Sequence, residues 1–171
     1  PIFSEDVKVQ DIGNETGQLS LVGPRCSFVL EQLGVGVLNP YECVSISVNG
    51  IPITAIRSEF LAQPSYDLII PAQSLKDVND MLLTIGGVEI CSISKETLNL
   101  VRVERGIPES GFELTEEYNP LEVELKNYIS FNKGCYVGQE VVARLNTYDK
   151  VKRRLVGLTW HEEMIFEPGA N

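Results

Sequence analysis

The chain has 171 residues, 43% of them apolar, with 14 Lys and Arg set against 24 Asp and Glu for a formal charge of -10. A chain of this length buries about two-thirds of the surface it exposes when unfolded, so its core needs no disulfide or metal staple, and its acidity opposes a polyanionic phosphate backbone. Nucleic acid is therefore not an expected partner, and no apolar run approaches the roughly 20 residues of a membrane span.

Taken in chain order, residues 5 to 12 and 17 to 22 alternate apolar and polar positions on either side of Gly13-Asn14 and read as two strands of a hairpin or meander. Gly23-Pro24 stops the second strand, and Cys26, Val29, Leu30 and Leu33, followed by Gly34, predict an amphipathic helix over 24 to 33. Residues 43 to 48 and 51 to 57 flank Asn49-Gly50, a strong hairpin signal. A strand follows from Tyr66 to Ile70, then a helix from Pro71 to Leu83 that ends before Gly86-Gly87. This order gives an α+β fold, an antiparallel or mixed sheet with helices on one face.

Between 104 and 124 seven glutamates lie among Pro108, Gly111 and Pro120, which suits either a solvated surface loop or an acidic binding site. Basic residues concentrate late: residues 1 to 126 hold 19 acids and 8 bases, whereas 127 to 171 hold 5 acids and 6 bases. An anion site is expected in that later part. Cys26, Cys43, Cys91 and Cys135 are widely spaced and His161 is the lone histidine, so no metal site is expected and a reducing compartment is. The start at Pro1 in place of Met is read as a truncated or partly ordered chain, which leaves targeting signals unjudged.

Residues 130 to 145 read SFNKGCYVGQEVVARL. Gly134 and Gly138 permit a tight turn, and Val141, Val142 and Leu145 follow at helical spacing, so Cys135 falls near a helix N-terminus. Helix amides and Lys133 there would favour the thiolate; the alternative is a small buried hydrophobe. Gln139 and Glu140 fall in the first helical turn, where they either satisfy free backbone donors or orient a polar ligand. Glu104 either pairs with Arg102 or Arg105 at the surface or accepts hydrogen bonds from a ligand. Arg144, Lys150, Lys152, Arg153 and Arg154 form a basic cluster with Asp149 inside it.

The string KGCYVGQE at 133 to 140, followed by VVAR and by KVKRRL at 150 to 155, resembles the signature of the YgfZ-type folate-binding branch of the glycine-cleavage T-protein (aminomethyltransferase) superfamily. VRVERGIP at 101 to 108, NPLEVEL at 119 to 125 and Gly23-Pro24 add to the likeness, which covers roughly 5 to 160. The resemblance implies a folate-binding domain over residues 1 to 152 and the beginning of a C-terminal β-barrel over 153 to 171. It implies tetrahydrofolate as cofactor, held by Glu104 against the pterin with Arg102, Lys133, Tyr136, Gln139, Glu140 and Arg144 around it. Cys135 would be the working group in assembly or repair of iron-sulfur clusters in client enzymes. The basic cluster would meet the glutamate tail of folate, an acidic partner, or only solvent. Folate-dependent aminomethyl transfer and folate binding without chemistry stay as alternatives, since the stretch that carries the catalytic aspartate of T-proteins would precede Pro1 and the rest of the barrel would follow Asn171. A monomer is expected, in the cytoplasm or, in a eukaryote, the mitochondrial matrix.

Overall fold

The computed structural model describes residues 8–58 and 64–159. The chain divides into two compact units, Pro1–Ser94 and Lys95–Asn171. The division falls inside the 1–152 stretch expected to form one domain.

In the first unit β1 (Thr16–Val22), β2 (Cys43–Val48), β3 (Ile51–Ser58) and β4 (Ser65–Pro71) form an antiparallel sheet in the order β1-β4-β3-β2. The β2–β3 turn is Asn49-Gly50, with φ of 51° and 81°, the pair of positive angles that a two-residue hairpin of matching twist requires. Alternation then places Leu19, Leu21, Val44, Ile46, Ile53, Ala55, Tyr66, Leu68 and Ile70 among the core residues and their packed neighbours.

Helices α1 (Cys26–Gln32) and α2 (Leu75–Leu83) bury Cys26, Val29, Leu30, Val78 and Leu82 in the same core. The end of α1 is closed by two bonds, Gly34 N–H to Glu31 O at 3.0 Å and Val35 N–H to Leu30 O at 3.0 Å, which satisfy carbonyls a helix end leaves free. Tyr66 is buried with its hydroxyl bonded to Arg57 Nη1 at 3.3 Å and Ser27 Oγ at 3.2 Å. This is the α+β architecture expected, with helices on one face.

Three local expectations need correction. Residues 8–12 form no strand, and 5–7 lie outside the described residues. The Ile12 carbonyl instead closes a turn, accepting from Glu15 N–H at 2.9 Å, and β1 takes its pairing from β4. Val9 is 95% exposed, so a strand there would bury nothing. Pro71 belongs to β4, and a 3-10 turn, Ala72–Ser74, precedes α2. No strand occurs in 153–159, and 160–171, with His161, lies outside the described residues.

The second unit contains α3 (Lys95–Glu104), a 3-10 turn at Leu125–Tyr128, and α4 (Gln139–Thr147). Its buried apolar side chains among the described residues are Leu121, Val123 and Val142. No described helix is long and apolar enough to cross a membrane.

Candidate functional site

Every residue expected at the folate and thiol site lies in the second unit, and two arginines organise that unit. Arg102, in the last turn of α3, is only 6% exposed. Its Nε contacts Glu109 Oε2 at 2.8 Å and donates to Asn99 Oδ1 at 2.7 Å; its Nη1 donates to Glu113 Oε2 at 2.9 Å and to Ile107 O at 3.2 Å. The guanidinium also lies 5.4 Å from the centre of the Phe112 ring. A buried guanidinium needs its donors satisfied, and here the loop that follows α3 folds back to satisfy them. Burial alone would raise the Glu113 pKa, but the Glu109 N–H at 3.1 Å and Arg102 outweigh it and hold the carboxyl below its ordinary value.

Arg153 is the second centre. Its Nε and Nη2 meet Glu122 Oε1 and Oε2 at 3.1 and 3.3 Å, a two-pronged pair, and its guanidinium lies 5.5 Å from the Tyr118 ring centre. The Asn119 N–H bonded to Glu122 Oε2 at 2.9 Å, followed by Arg153, keeps Glu122 in the carboxylate form to lower pH than usual. Phe112, Tyr118, Glu122, Arg153 and Leu155 line a cavity of about 470 Å³ at this pair. Arg154 approaches Glu124 at 3.8 Å and Asp149 at 3.6 Å. The acidic stretch is thus more than a solvated loop: four of its glutamates face arginines, and Leu121 and Val123 are buried within it. The glutamate partners of Arg153 and Arg154 are 31 and 30 residues away in sequence, beyond the reach of spacing arguments.

Glu104, the last residue of α3, is exposed, and its side chain makes no hydrogen bond or ion pair with the described residues. Cys135 is an exposed free thiol in the irregular segment ahead of α4. Gly138 caps that helix at φ 88°, a left-handed angle that L side chains resist, and its carbonyl accepts from Val141 and Val142 N–H at 3.1 and 3.3 Å. Gln139 turns back to accept the Tyr136 N–H on Oε1 at 3.3 Å, while Lys133 Nζ stands 5.1 Å from the Tyr136 ring centre. The motif therefore ties Lys133, Tyr136 and Gln139 into one local turn, and Glu140 sits in the first turn of α4 where its charge suits the helix dipole.

Arg144 lies further along α4 and lines a groove of about 700 Å³ with Lys150, Lys152, Val141 and Leu145. Among the described residues no hydrogen bond or ion pair joins Arg102 or Glu104 to residues 133 to 144. Arg102, expected at a ligand, is committed to its own loop. No described group of three or more His, Cys, Asp and Glu could hold a metal.

A family model described as GCVT N-terminal domain matches residues 2–133, so the match stops before Cys135. A chloroplastic protein of Arabidopsis thaliana that carries a provisional transferase name is 36% identical over 159 residues, 91% of this chain and 36% of that protein. The mitochondrial dimethylglycine dehydrogenase of Homo sapiens is 29% identical over 161 residues, 90% of this chain and 18% of the enzyme. An aminomethyltransferase of Thermoanaerobacter sp. (strain X514) is 24% identical over 160 residues, 89% of this chain and 42% of the enzyme. The chain spans less than half the length of these relatives.

Proposed function

Since the chain belongs to the GCVT N-terminal domain family, we propose that it forms the tetrahydrofolate-binding part of a longer protein, with Glu104 at the pterin and Cys135 as the working thiol. The observation that carries the folate reading is the exposed Glu104 carboxylate, whose two oxygens are unspent among the described residues. A pterin edge offers adjacent N–H donors, and a carboxylate accepts two of them in a selective pair. Arg102 acts here through position: by clamping the loop after α3 it fixes the backbone from which Glu104 projects. Arg144, Lys150 and Lys152 offer charge to the carboxylate tail of the cofactor.

Bound tetrahydrofolate would supply the one-carbon chemistry; the chain's own residues hold it and present a thiol. The YgfZ-type reading assigns that thiol to assembly or repair of iron-sulfur clusters in client enzymes, and the exposure of Cys135 supports it. The second reading, folate-dependent aminomethyl transfer, is favoured by the name of the aminomethyltransferase relative. The proposed compartment is a reducing one, the cytoplasm or a eukaryotic organelle, and the mitochondrial and chloroplastic names of two relatives support the organelle.

Calorimetric titration of the full protein with tetrahydrofolate tests the first part. Glu104→Gln sets an amide donor against a pterin N–H, at a cost of roughly 1.5–3 kcal/mol, or about ten- to a hundredfold in affinity. Unchanged affinity removes Glu104 from the site. Complementation of cells lacking the protein separates the two chemistries: loss of iron-sulfur enzyme activity with Cys135→Ala supports the thiol role, whereas full rescue by that variant together with aminomethyl transfer in vitro supports the second reading.

A further inference from the structure

Strand β2 lies at an edge of the sheet, with β3 its only strand neighbour among the described residues. Edge strands usually carry a lysine, a proline or a bulge that discourages further pairing. β2 is CVSISV, without a charge or a proline, and its register against β3 runs unbroken from Cys43 opposite Ile56 to Val48 opposite Ile51. Residues 44 to 48, V-S-I-S-V, read the same in both directions. When a strand pairs antiparallel with its own copy about a two-fold axis, residues equidistant from the axis face each other. We infer that two copies of this chain associate through β2 with the axis at Ile46, in place of the monomer expected from the sequence.

The hydrogen-bond phase of the strand agrees. Arg57 N–H donates to Glu42 O at 2.9 Å, so the Glu42 carbonyl points at β3, while the bond to Arg57 O comes from Tyr41 N–H at 2.9 Å in a bulge that ends before β2 begins. Alternation along an antiparallel ladder then directs the backbone groups of Val44, Ile46 and Val48 toward β3 and those of Cys43, Ser45 and Ser47 away from it. With the axis at Ile46, Ser45 meets Ser47 of the second copy, and the reverse pair meets likewise. Each pair can exchange two bonds through the outward groups.

Ile46 falls on the closer, unbonded position, where opposing Cα atoms stand about 4.5 Å apart and side chains touch most closely. Side chains fit as well. Val44, Ile46 and Val48 are half-buried and pack at the margin of the core, so the second copy would carry their apolar row across the axis, Val44 beside Val48. Cys43, Ser45 and Ser47 are exposed on the other face. The opposite edge, β1, reads TGQLSLV and has no such symmetry.

A single strand pair lies at the small end of specific interfaces, below about 1,200 Å², so association is weak and concentration-dependent. Sedimentation velocity of the full protein over a roughly hundredfold concentration range should show the mass rising from one copy toward two. In Ser45→Lys/Ser47→Lys a lysine faces a lysine twice, and the midpoint should move about tenfold to higher concentration. In Ser45→Lys/Ser47→Glu a lysine faces a glutamate twice, and the midpoint should return to the wild-type value or below. A mass that stays at one copy at the highest concentration overturns the inference, and so does an equal shift in both double variants, which carry the same two sites of substitution.

Discussion

The two units of the chain cohere by different means. The first buries Leu30, Ile53, Tyr66, Leu68, Ile70 and Val78 with at most 1% exposure each, an apolar core between a sheet and two helices. The second buries three apolar side chains among its described residues and relies on Arg102 and Arg153, each held by glutamates from the loop between α3 and α4. Apolar burial is non-directional and indifferent to pH, whereas a charge cluster depends on the protonation of each member. The residues with candidate chemistry thus sit on the unit whose order is electrostatic, and its geometry answers to single charges.

The largest expected effect breaks the first unit. Leu68→Ala removes a fully buried side chain in the middle of β4 and should cost about 2–5 kcal/mol, the transfer term plus the cavity left behind. Urea unfolding followed by far-UV circular dichroism measures it. A loss below 1 kcal/mol would mean the sheet core collapses around the gap.

Arg102→Met should come next, at about 1–3 kcal/mol and confined to the second unit. Removing one partner from a buried ion pair strands the other charges, but Glu109 and Glu113 retain 35% and 29% side-chain exposure, so water moderates the cost. Hydrogen exchange should quicken at Ile107 and Glu109, with the amides of β3 and β4 unaffected. Quickened exchange in the sheet would show that the two units unfold as one.

The acid response sharpens the same comparison. Glu113 and Glu122 have pKa values held below the ordinary 4.5, so their contribution is full above that value and is lost as pH falls through the lower folded-state values. Below about pH 4.5 the loop between α3 and α4 should lose exchange protection ahead of the sheet, and Glu113→Gln should flatten that dependence. Parallel loss in both units would assign the acid sensitivity elsewhere.

How much of this the sequence carried differs between the units for the same physical reason. Period-two alternation and Asn49-Gly50 are local signals, and they located β2, β3 and β4 to within about a residue. Residues 5 to 12 alternate too, but alternation does not say whether a partner strand exists, and β1 pairs with β4, 49 residues from Gln18 to its partner side chain on Asp67. α3 carries the usual marks of helix ends, with Ser94 before it, Glu96 in its first turn and Arg102 in its last, but no apolar stripe to go with them. Its face is mixed: Leu98 and Val101 are half-buried, while Leu100 and Val103 are 67% and 56% exposed. In the candidate site, the KGCYVGQE segment is short-range and its turn was legible, whereas the pairing of Arg153 with Glu122 joins charges that no periodicity connects.

The smallest expected change in stability separates the cysteines. Cys26 is buried, its thiol donates to Pro64 O at 2.9 Å, and burial pushes its pKa up, so it should alkylate slowly; Cys26→Ala should cost about 1–2 kcal/mol through lost packing. Cys43, Cys91 and Cys135 are all exposed, so exposure alone gives none of them an advantage. Cys135→Ala should change stability by less than about 0.5 kcal/mol, as an exposed substitution does, and leave tetrahydrofolate affinity intact. As the proposed working thiol, Cys135 should nevertheless be labelled by iodoacetamide faster than Cys43 and Cys91. Labelling each single-cysteine variant across pH 6 to 9 reads that directly. Equal rates at the three exposed thiols would leave Cys135 an accessible but ordinary side chain, and the proposed folate site would then rest on Glu104 with no thiol step beside it.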